Sequence, residues 1–539
     1  LSGNAGLVLG DNCGTGACAA GEVVCNSAKM GLECDSEVGA GSQVTTESCD
    51  GTDQDCDGAV DNGVDAGDEN ACTEGVCAGT STPTCSAGSW ECNSTSPDFG
   101  DEDQLFLCDG LDNDCDGVVD EDCVATDGHV ASIQKVSATE GDLKEVLVSN
   151  DGYGRALTAL GDFDGSGSNW VATTSTAWKA NNSSVGGAVW LVKLAGDGTV
   201  ALSKRIDNDD VSSGFENSDA FGSSVANIGD LDGDGVTDIA VGAPLAPSPT
   251  DAAPSTGAVY ILFMNADGSV KSDTYIDQSN LGGIGSSSHF GYSVAGLGDL
   301  DGDGVLDIAV GAPDDNTLGT DAGVLWTLFM NTDGTVKSSR KTTAGDAVAG
   351  QAYAWFGASV ANVGDIDGDG VIDLAVGAPA QVADGKKTGS VRIMLLNTDG
   401  SVKSSTSLSE NENGFASTLA VGSRFGESVA GIGDINKDGV PDVAIGAKHA
   451  GQNPTGTGSV WVLLLNASGT VIGSVTIHNS AGGFSAGLLE NPDHFGGALA
   501  GPGDIDGDGA PDLIVGASGD DDGNTDAGAF YVLFSAPSP

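Results

Sequence analysis

Asp230, Asp232, Asp234 and Asp238 stand at positions 1, 3, 5 and 9 of one tight loop, inside the phrase Gly-Asp-x-Asp/Asn-x-Asp-Gly-x-x-Asp. The phrase returns with its first aspartate at Asp299, Asp365, Asp434 and Asp504, at spacings of 69, 66, 69 and 70 residues. The matching sets are Asp299, Asp301, Asp303, Asp307; Asp365, Asp367, Asp369, Asp373; and Asp504, Asp506, Asp508, Asp512. Asp434, Asn436, Asp438 and Asp442 form the fifth, in which an amide replaces one carboxylate and weaker binding is expected. Side-chain oxygens at these places, with the backbone carbonyl of Val236 (then Val305, Val371, Val440 and Ala510), can wrap a hard cation such as calcium. Gly233 and Gly235 permit the sharp turn. Without a cation, carboxylates about 4 Å apart repel by roughly 1–4 kcal/mol per pair. A helix–loop–helix calcium hand needs a bidentate Glu at position 12. That place holds Val241, Val310, Val376, Ile445 and Val515, so the loop is expected to join two strands.

The same ladder recurs near the N-terminus, as Asp53, Asp55, Asp57, Asp61 and as Asp112, Asp114, Asp116, Asp120. About seven calcium sites are therefore expected. One further loop departs from the pattern: Asp162 and Asp164 are followed by Ser166 and, in the ninth place, Trp170, so this site is expected to be weak or empty.

The elements that position the loops can be read from residues 221–289. Phe221-Gly222 opens the unit, and Ser223 to Ile228 alternates small and apolar residues as a strand does. After the acidic loop, Ile239 to Pro244 reads as a buried strand and Gly257 to Phe263 as another. Asn265-Ala-Asp-Gly268 is a hairpin turn before a fourth strand, Ser269 to Ile276. Four antiparallel strands per unit describe a propeller blade. Units start at Tyr153, Phe221, Phe290, Phe356, Phe425 and Phe495, so an all-β, six-bladed β-propeller over 130–536 is expected. The last unit lacks a fourth strand, and Val130-Ala-Ser-Ile-Gln-Lys-Val136 resembles the missing piece. Residues 130–137 are expected to close the ring, which removes exposed edges; the alternative is that they complete a neighbouring molecule's blade.

All 13 cysteines lie between Cys13 and Cys123. Cys13, Cys18, Cys25, Cys34, Cys49 and Cys56 recur as Cys72, Cys77, Cys85, Cys92, Cys108 and Cys115, which divides the arm into repeats at 1–65 and 66–124. A dense cysteine set reads as a disulfide framework in an oxidising compartment. Zinc knuckles fit less well, since the first histidine is His129. A small disulfide-rich, loop-dominated arm is expected, each staple worth roughly 2–4 kcal/mol. Cys49 with Cys56 and Cys108 with Cys115 are the expected pairs, and Cys123 is odd by count.

The propeller region resembles the FG-GAP repeat family, the fold of integrin alpha-subunit heads. The resemblance rests on Phe-Gly at the unit starts, on the acidic loops, and on Gly242-Ala-Pro244, Gly311-Ala-Pro313 and Gly377-Ala-Pro379; Gly446-Ala-Lys448 and Gly516-Ala-Ser518 depart from it. It implies calcium bound in strand–loop–strand hairpins on one face. Integrin heads have seven blades, which keeps seven as the alternative to six. There is no Arg-Gly-Asp and no inserted ligand-binding domain, so integrin ligands are not implied. Each cysteine repeat ends in a signature similar to bacterial metal-binding repeats of secreted surface proteins, one of them a methanotroph copper-binding protein. The repeat has no His or Met cluster, and its oxygen ligands favour calcium over copper.

The chain carries 79 Asp+Glu against 19 Lys+Arg, a formal charge of −60. Neither nucleic acid nor an anionic membrane surface is an expected partner, and no run of about 18 apolar residues suggests membrane insertion. His129, His289, His449, His478 and His494 are scattered, and the paired carboxylates are explained by metal, so no catalysis is expected; a hydrolase on a propeller scaffold ranks last. The leading expectation is a secreted, cell-surface or matrix calcium-binding structural protein that self-assembles through arm and propeller. The alternative is an adhesin that takes a protein or glycan through loops such as Leu245 to Thr256 and Asp314 to Asp321. Asn93, Asn181, Asn182 and Asn466 lie in glycosylation sequons.

Overall fold

A computed structural model describes residues 130–535 apart from 145, 178, 181–183, 216–217, 248–254, 344–352, 384, 451–455, 480, 485–487 and 491. Of the preceding residues it describes five short strands, as backbone only. The chain divides into Leu1–Val124 and Ala125–Pro539. In the first unit, Asn12–Cys13, Gly21–Cys25 and Leu32–Cys34 form one antiparallel sheet and Ser81–Ser86 pairs with Ser89–Ser94. The expected disulfides and the ladders at Asp53–Asp61 and Asp112–Asp120 lie outside the described residues.

The second unit is a six-bladed β-propeller, not the seven-bladed alternative. From the axis outwards, blade 1 holds Leu157–Gly161, Trp170–Ser175, Ala188–Leu194 and Val200–Ile206. Blade 2 holds Ser224–Gly229, Asp238–Ala243, Ala258–Met264 and Val270–Ile276. Blades 3, 4 and 5 repeat this order, with innermost strands Ser293–Gly298, Ser359–Gly364 and Ser428–Gly433. Blade 6 holds Phe495–Gly503, Asp512–Ala517 and Ala529–Ser535, and its outer strand is Val130–Val136. The six innermost strands contact their neighbours in a closed circle, the last against the first.

Burial follows from this layering. Second strands such as Asp238–Ala243 are buried at every residue, as are third strands such as Ala258–Met264. Strands covered on both faces read as continuous apolar runs. Outer strands such as Val270–Ile276 are only partly covered. The core lies between blades: Phe215 stacks on Phe221, and Tyr260 meets Phe221 edge-on, in a cluster drawn from blades 1 and 2.

The Phe-Gly and Gly-Ala pairs lock the blades together. The Phe290 N–H donates to Thr256 O (3.0 Å) in the preceding blade, and the Phe425 N–H to Thr388 O (2.9 Å). The Gly222 N–H donates to Gly242 O within its own blade (3.0 Å). The hydroxyls of Ser224, Ser293, Ser359 and Ser428 donate to the carbonyls of Gly291, Gly357, Gly426 and Gly496 in the following blade, at 2.8–2.9 Å. Backbone therefore crosses backbone where Gly377 sits, and a Cβ there would lie 2.1 Å from Gly426 O and 2.2 Å from the Ser359 hydroxyl. Gly377→Ala is expected to destabilise the propeller by about 3 kcal/mol or more, read as a lowered thermal midpoint. An unchanged midpoint would show that the blades can separate here at no cost.

Candidate metal centres

Each acidic loop of the propeller joins the first strand of a blade to its second, so these loops lie on one rim of the propeller, and the Phe-Gly turns lie on the other. The loops are pre-shaped by their own backbone. Asp230 Oδ1 accepts the N–H groups of Gly233 (2.8 Å) and Asp234 (2.9 Å), and its Oδ2 accepts that of Gly235 (2.8 Å). Asp365 and Asp504 make the same three bonds. Asp299 and Asp434 accept from positions 5 and 6. The fifth-position carboxylates of Asp234, Asp303, Asp369, Asp438 and Asp508 accept the N–H of Val236, Val305, Val371, Val440 and Ala510 at 2.8–2.9 Å.

The ninth aspartate is the first residue of the second strand rather than part of the loop, and it is buried: Asp238, Asp307, Asp373, Asp442 and Asp512 are at most 1% exposed. Asp238 accepts the Leu231 N–H with one oxygen (3.0 Å) and the Met264 N–H with the other (2.9 Å). The four others accept the equivalent pairs at 2.7–3.0 Å. The acceptor is therefore shared between the loop and the end of the third strand, where the ladder shifts register by one residue. Burial raises the pKa of Asp238, Asp307, Asp373 and Asp512 to about 6 and that of Asp442 to about 7; the two N–H bonds offset only part of this, and neighbouring carboxylates add to it. A divalent cation favours the ionised form and so offsets both causes.

The loops bring carboxylate oxygens of Asp230, Asp232, Asp234; of Asp299, Asp301, Asp303; of Asp365, Asp367, Asp373; and of Asp504, Asp506, Asp512 within 4.8 Å of one another. In the fifth loop the Asn436 amide donates to Asp438 Oδ2 (3.0 Å). Two observations fit a cation. Asp367 Oδ1 is buried with no hydrogen-bond partner, a state that costs free energy unless an ion occupies it. In three loops a lysine ammonium stands where positive charge is wanted: Lys271 lies 2.6 Å from both Asp232 and Asp234, Lys403 lies 2.6 Å from Asp367 and 2.7 Å from Asp369, and Lys337 bridges Asp301 and Asp303. These contacts hold Asp234, Asp303 and Asp369 below the usual carboxylate range.

Sequence reasoning missed these lysines, although the signal was there: Val270-Lys-Ser, Val336-Lys-Ser and Val402-Lys-Ser open the fourth strands of blades 2, 3 and 4. Strand register puts Ile472 and Ala131 in the same place in blades 5 and 6. A calcium ion entering blades 2 to 4 must displace an ammonium, and blade 6 combines four aspartates with none to displace. Replacing Lys271, Lys337 and Lys403 together by Met is expected to tighten calcium binding at those loops by about tenfold, read by titration calorimetry. Unchanged isotherms would show that the ammonium groups do not compete.

In the divergent first unit, Lys193 contacts Asp164 (2.8 Å) and the Ser166 hydroxyl (2.7 Å), and Trp170 is buried against Phe163 in place of the ninth carboxylate. Among the described histidines, His289 contacts Asp314, and His449 meets His494 edge-on at 5.3 Å. Gly483-Phe-Ser-Ala-Gly487 has the form Gly-x-Ser-x-Gly, and its last three residues lie outside the described ones. Its Gly483 serves packing, since a Cβ there would lie 2.2 Å from Val130 O.

Five segments, 221–262, 290–328, 356–394, 425–463 and 495–533, match the FG-GAP repeat, and residues 42–62 and 92–121 match a metal-binding motif named for copper-binding MopE. The chain is 35% identical over 240 residues to integrin alpha-V of Gallus gallus, covering 43% of this chain and 20% of that protein. It is 32% identical over 238 residues to integrin alpha-5 of Xenopus laevis (43% and 20%) and 37% identical over 172 residues to integrin alpha-IIb of Mus musculus (31% and 15%). The matches thus span about a fifth or less of the curated relatives' length. A solved chain from "Cryo-EM structure of RAG in complex with one melted RSS and one unmelted RSS" covers 75% of this chain and 100% of its own at TM-score 0.38 and 11% identity, a likeness too remote to bear on the fold.

Proposed function

For a chain whose propeller is built of FG-GAP repeats, we propose the role of a non-enzymatic calcium-binding protein of the cell surface or extracellular matrix, which uses calcium to stiffen a propeller that docks onto another protein. The observation that carries this reading is the repetition of one oxygen-only loop, pre-shaped by backbone N–H groups, on the same rim of five consecutive blades. The integrin alpha likeness supports a surface setting and a protein partner. The cysteine-dense arm supports export to an oxidising compartment. About seven calcium ions are proposed, five in the propeller and two in the arm.

A second copy of the chain is the first partner to test, since an arm joined to a head can pack head-to-tail into a filament. The experiment is negative-stain microscopy of the full chain in calcium and then in chelator, beside calorimetric titration of calcium into the chelated protein. Ordered polymers that fall apart on chelation support self-assembly. Single particles in both conditions turn the search to a different protein or a glycan. A flat calcium isotherm would overturn the calcium reading.

A further inference from the structure

On the rim away from the acidic loops, the residue after each Phe-Gly pair faces the mouth of the central channel: Arg155, Ser223, Tyr292, Ala358, Glu427 and Gly497. They line a cavity of about 100 Å³. Below them a collar of one Leu or Val per blade narrows the channel, which widens again to about 440 Å³. The mouth concentrates positive charge in a chain with 79 acidic and 19 basic side chains. Glu427, 6% exposed, contacts the Lys448 ammonium, itself 13% exposed, and Arg424 Nη1 at 3.4 Å. Arg155 shares the cavity with Glu427. Burial works against ionisation of Glu427, yet Lys448, Arg424 and Arg155 hold its carboxyl down to about 2. Three cations thus gather around one carboxylate, and cations taken out of water need counter-charge.

The backbone beside the mouth is strained at the same place in every blade, Arg424 included. The position before Phe-Gly is left-handed throughout, with φ 55° at His289 and 61° at Trp355, Arg424 and His494; blade 1 has Gly152 there. Bulky residues cost about 1 kcal/mol in this conformation, which glycine would avoid, and such residues gather at ligand clamps. Arg424 is held over the Trp355 ring at 5.2 Å, and Tyr353, also left-handed at 62°, is 56% exposed.

We propose that the channel mouth binds a carboxylate: an Asp or Glu side chain of an acidic protein segment meets Arg155, which lines the cavity, backed by Arg424 on the far side of Glu427's contact, and planar guanidinium groups suit carboxylate oxygens. The apolar collar below halts it at the mouth. This names the partner chemistry for the docking role proposed above and rests on that reading, but it needs no calcium.

The test is fluorescence anisotropy of a labelled hexa-glutamate peptide with the full chain at 0.15 M salt. Saturable binding is expected. Arg155→Gln and Arg424→Gln are each expected to weaken it at least tenfold, whereas Arg340→Gln, on the outer strand of blade 3, leaves it unchanged. Melting curves and calcium isotherms matching the parent show that the variants are folded, and Arg155→Gln carries the test if Arg424→Gln is not. Absence of saturable binding, or equal binding by the parent and both mouth variants, would overturn the proposal. Peptide binding beside a flat calcium isotherm overturns the calcium reading and leaves this one standing. Sedimentation separates the sources: oligomers dispersed by the peptide assign the carboxylate to a second copy, and a concentration-independent monomer assigns it to a different chain.

Discussion

Stripping calcium with a chelator is expected to lower the thermal midpoint of this protein by about 10 °C or more, and adding calcium back to restore it. A site filled to about a hundred times its dissociation constant contributes roughly 2.7 kcal/mol, and the propeller has five such loops. Each loop ties the start of the second strand to the end of the third through the ninth aspartate, so an ion there stiffens three strands at once. A midpoint indifferent to chelation would mean that the loops hold their shape through the lysines and backbone N–H groups alone.

The chelated protein also responds to pH with a definite sign. The carboxyls of Asp238, Asp307, Asp373 and Asp512 are raised to about 6 and that of Asp442 to about 7, against about 3.9 in an unfolded chain. Between pH 4 and 7 the folded state therefore binds protons that the unfolded state has released, so stability falls as pH rises through this window. In chelator the protein melts higher at pH 5 than at pH 7.5. Calcium reverses the trend, because it favours the ionised carboxylates, and its stabilising effect is larger at pH 7.5. Asp234, Asp303 and Asp369, lowered by their lysines, contribute stability that is lost only below about pH 4. Melting curves at the two pH values, with and without calcium, check the first three expectations, and a curve at pH 3 checks the fourth.

Removing Val130–Val136 from the full chain is expected to open the propeller. This strand pairs along Phe530–Ser535 and is pinned by Lys135, whose ammonium lies 2.7 Å from both Asp520 and Asp522. Without it, the backbone of the strand carrying Phe530, Tyr531, Val532 and Leu533 becomes a free edge, a template for pairing with another chain. The expected product elutes as oligomers or aggregates in size-exclusion chromatography with light scattering, and its midpoint falls sharply. Lys135→Ala tests the fastening more gently. It leaves Asp520, 3% exposed, without its ammonium, a loss of about 3 kcal/mol or more. A monomeric deletion variant melting like the parent would show that the closing strand does not hold the ring.

Much of this was legible in the sequence, because repetition multiplies weak signals. One Asp-x-Asp-x-Asp-Gly is a turn; five at a period of 66–70 residues, each followed by an apolar run, fix strand, loop and architecture together. The last unit lacks a fourth strand, and the likeness of Val130–Val136 to one pointed to the closing piece. The sequence determined periodicity, strand alternation and ligand chemistry, all of which depend on near neighbours in the chain.

Tertiary structure decided what depends on distant residues meeting. Asp238 reads as the end of a loop, but it is a buried strand residue because Met264 N–H needs an acceptor where the ladder shifts. Lys271 is remote in sequence from Asp232 and Asp234, and only blade closure lays its ammonium between them. Arg155, Tyr292 and Glu427 come from alternate blades and share one cavity because a closed ring turns the same register position of each inner strand toward one axis. Local pattern is set by the chain's own period, whereas charge gathered on an axis is a property of the ring.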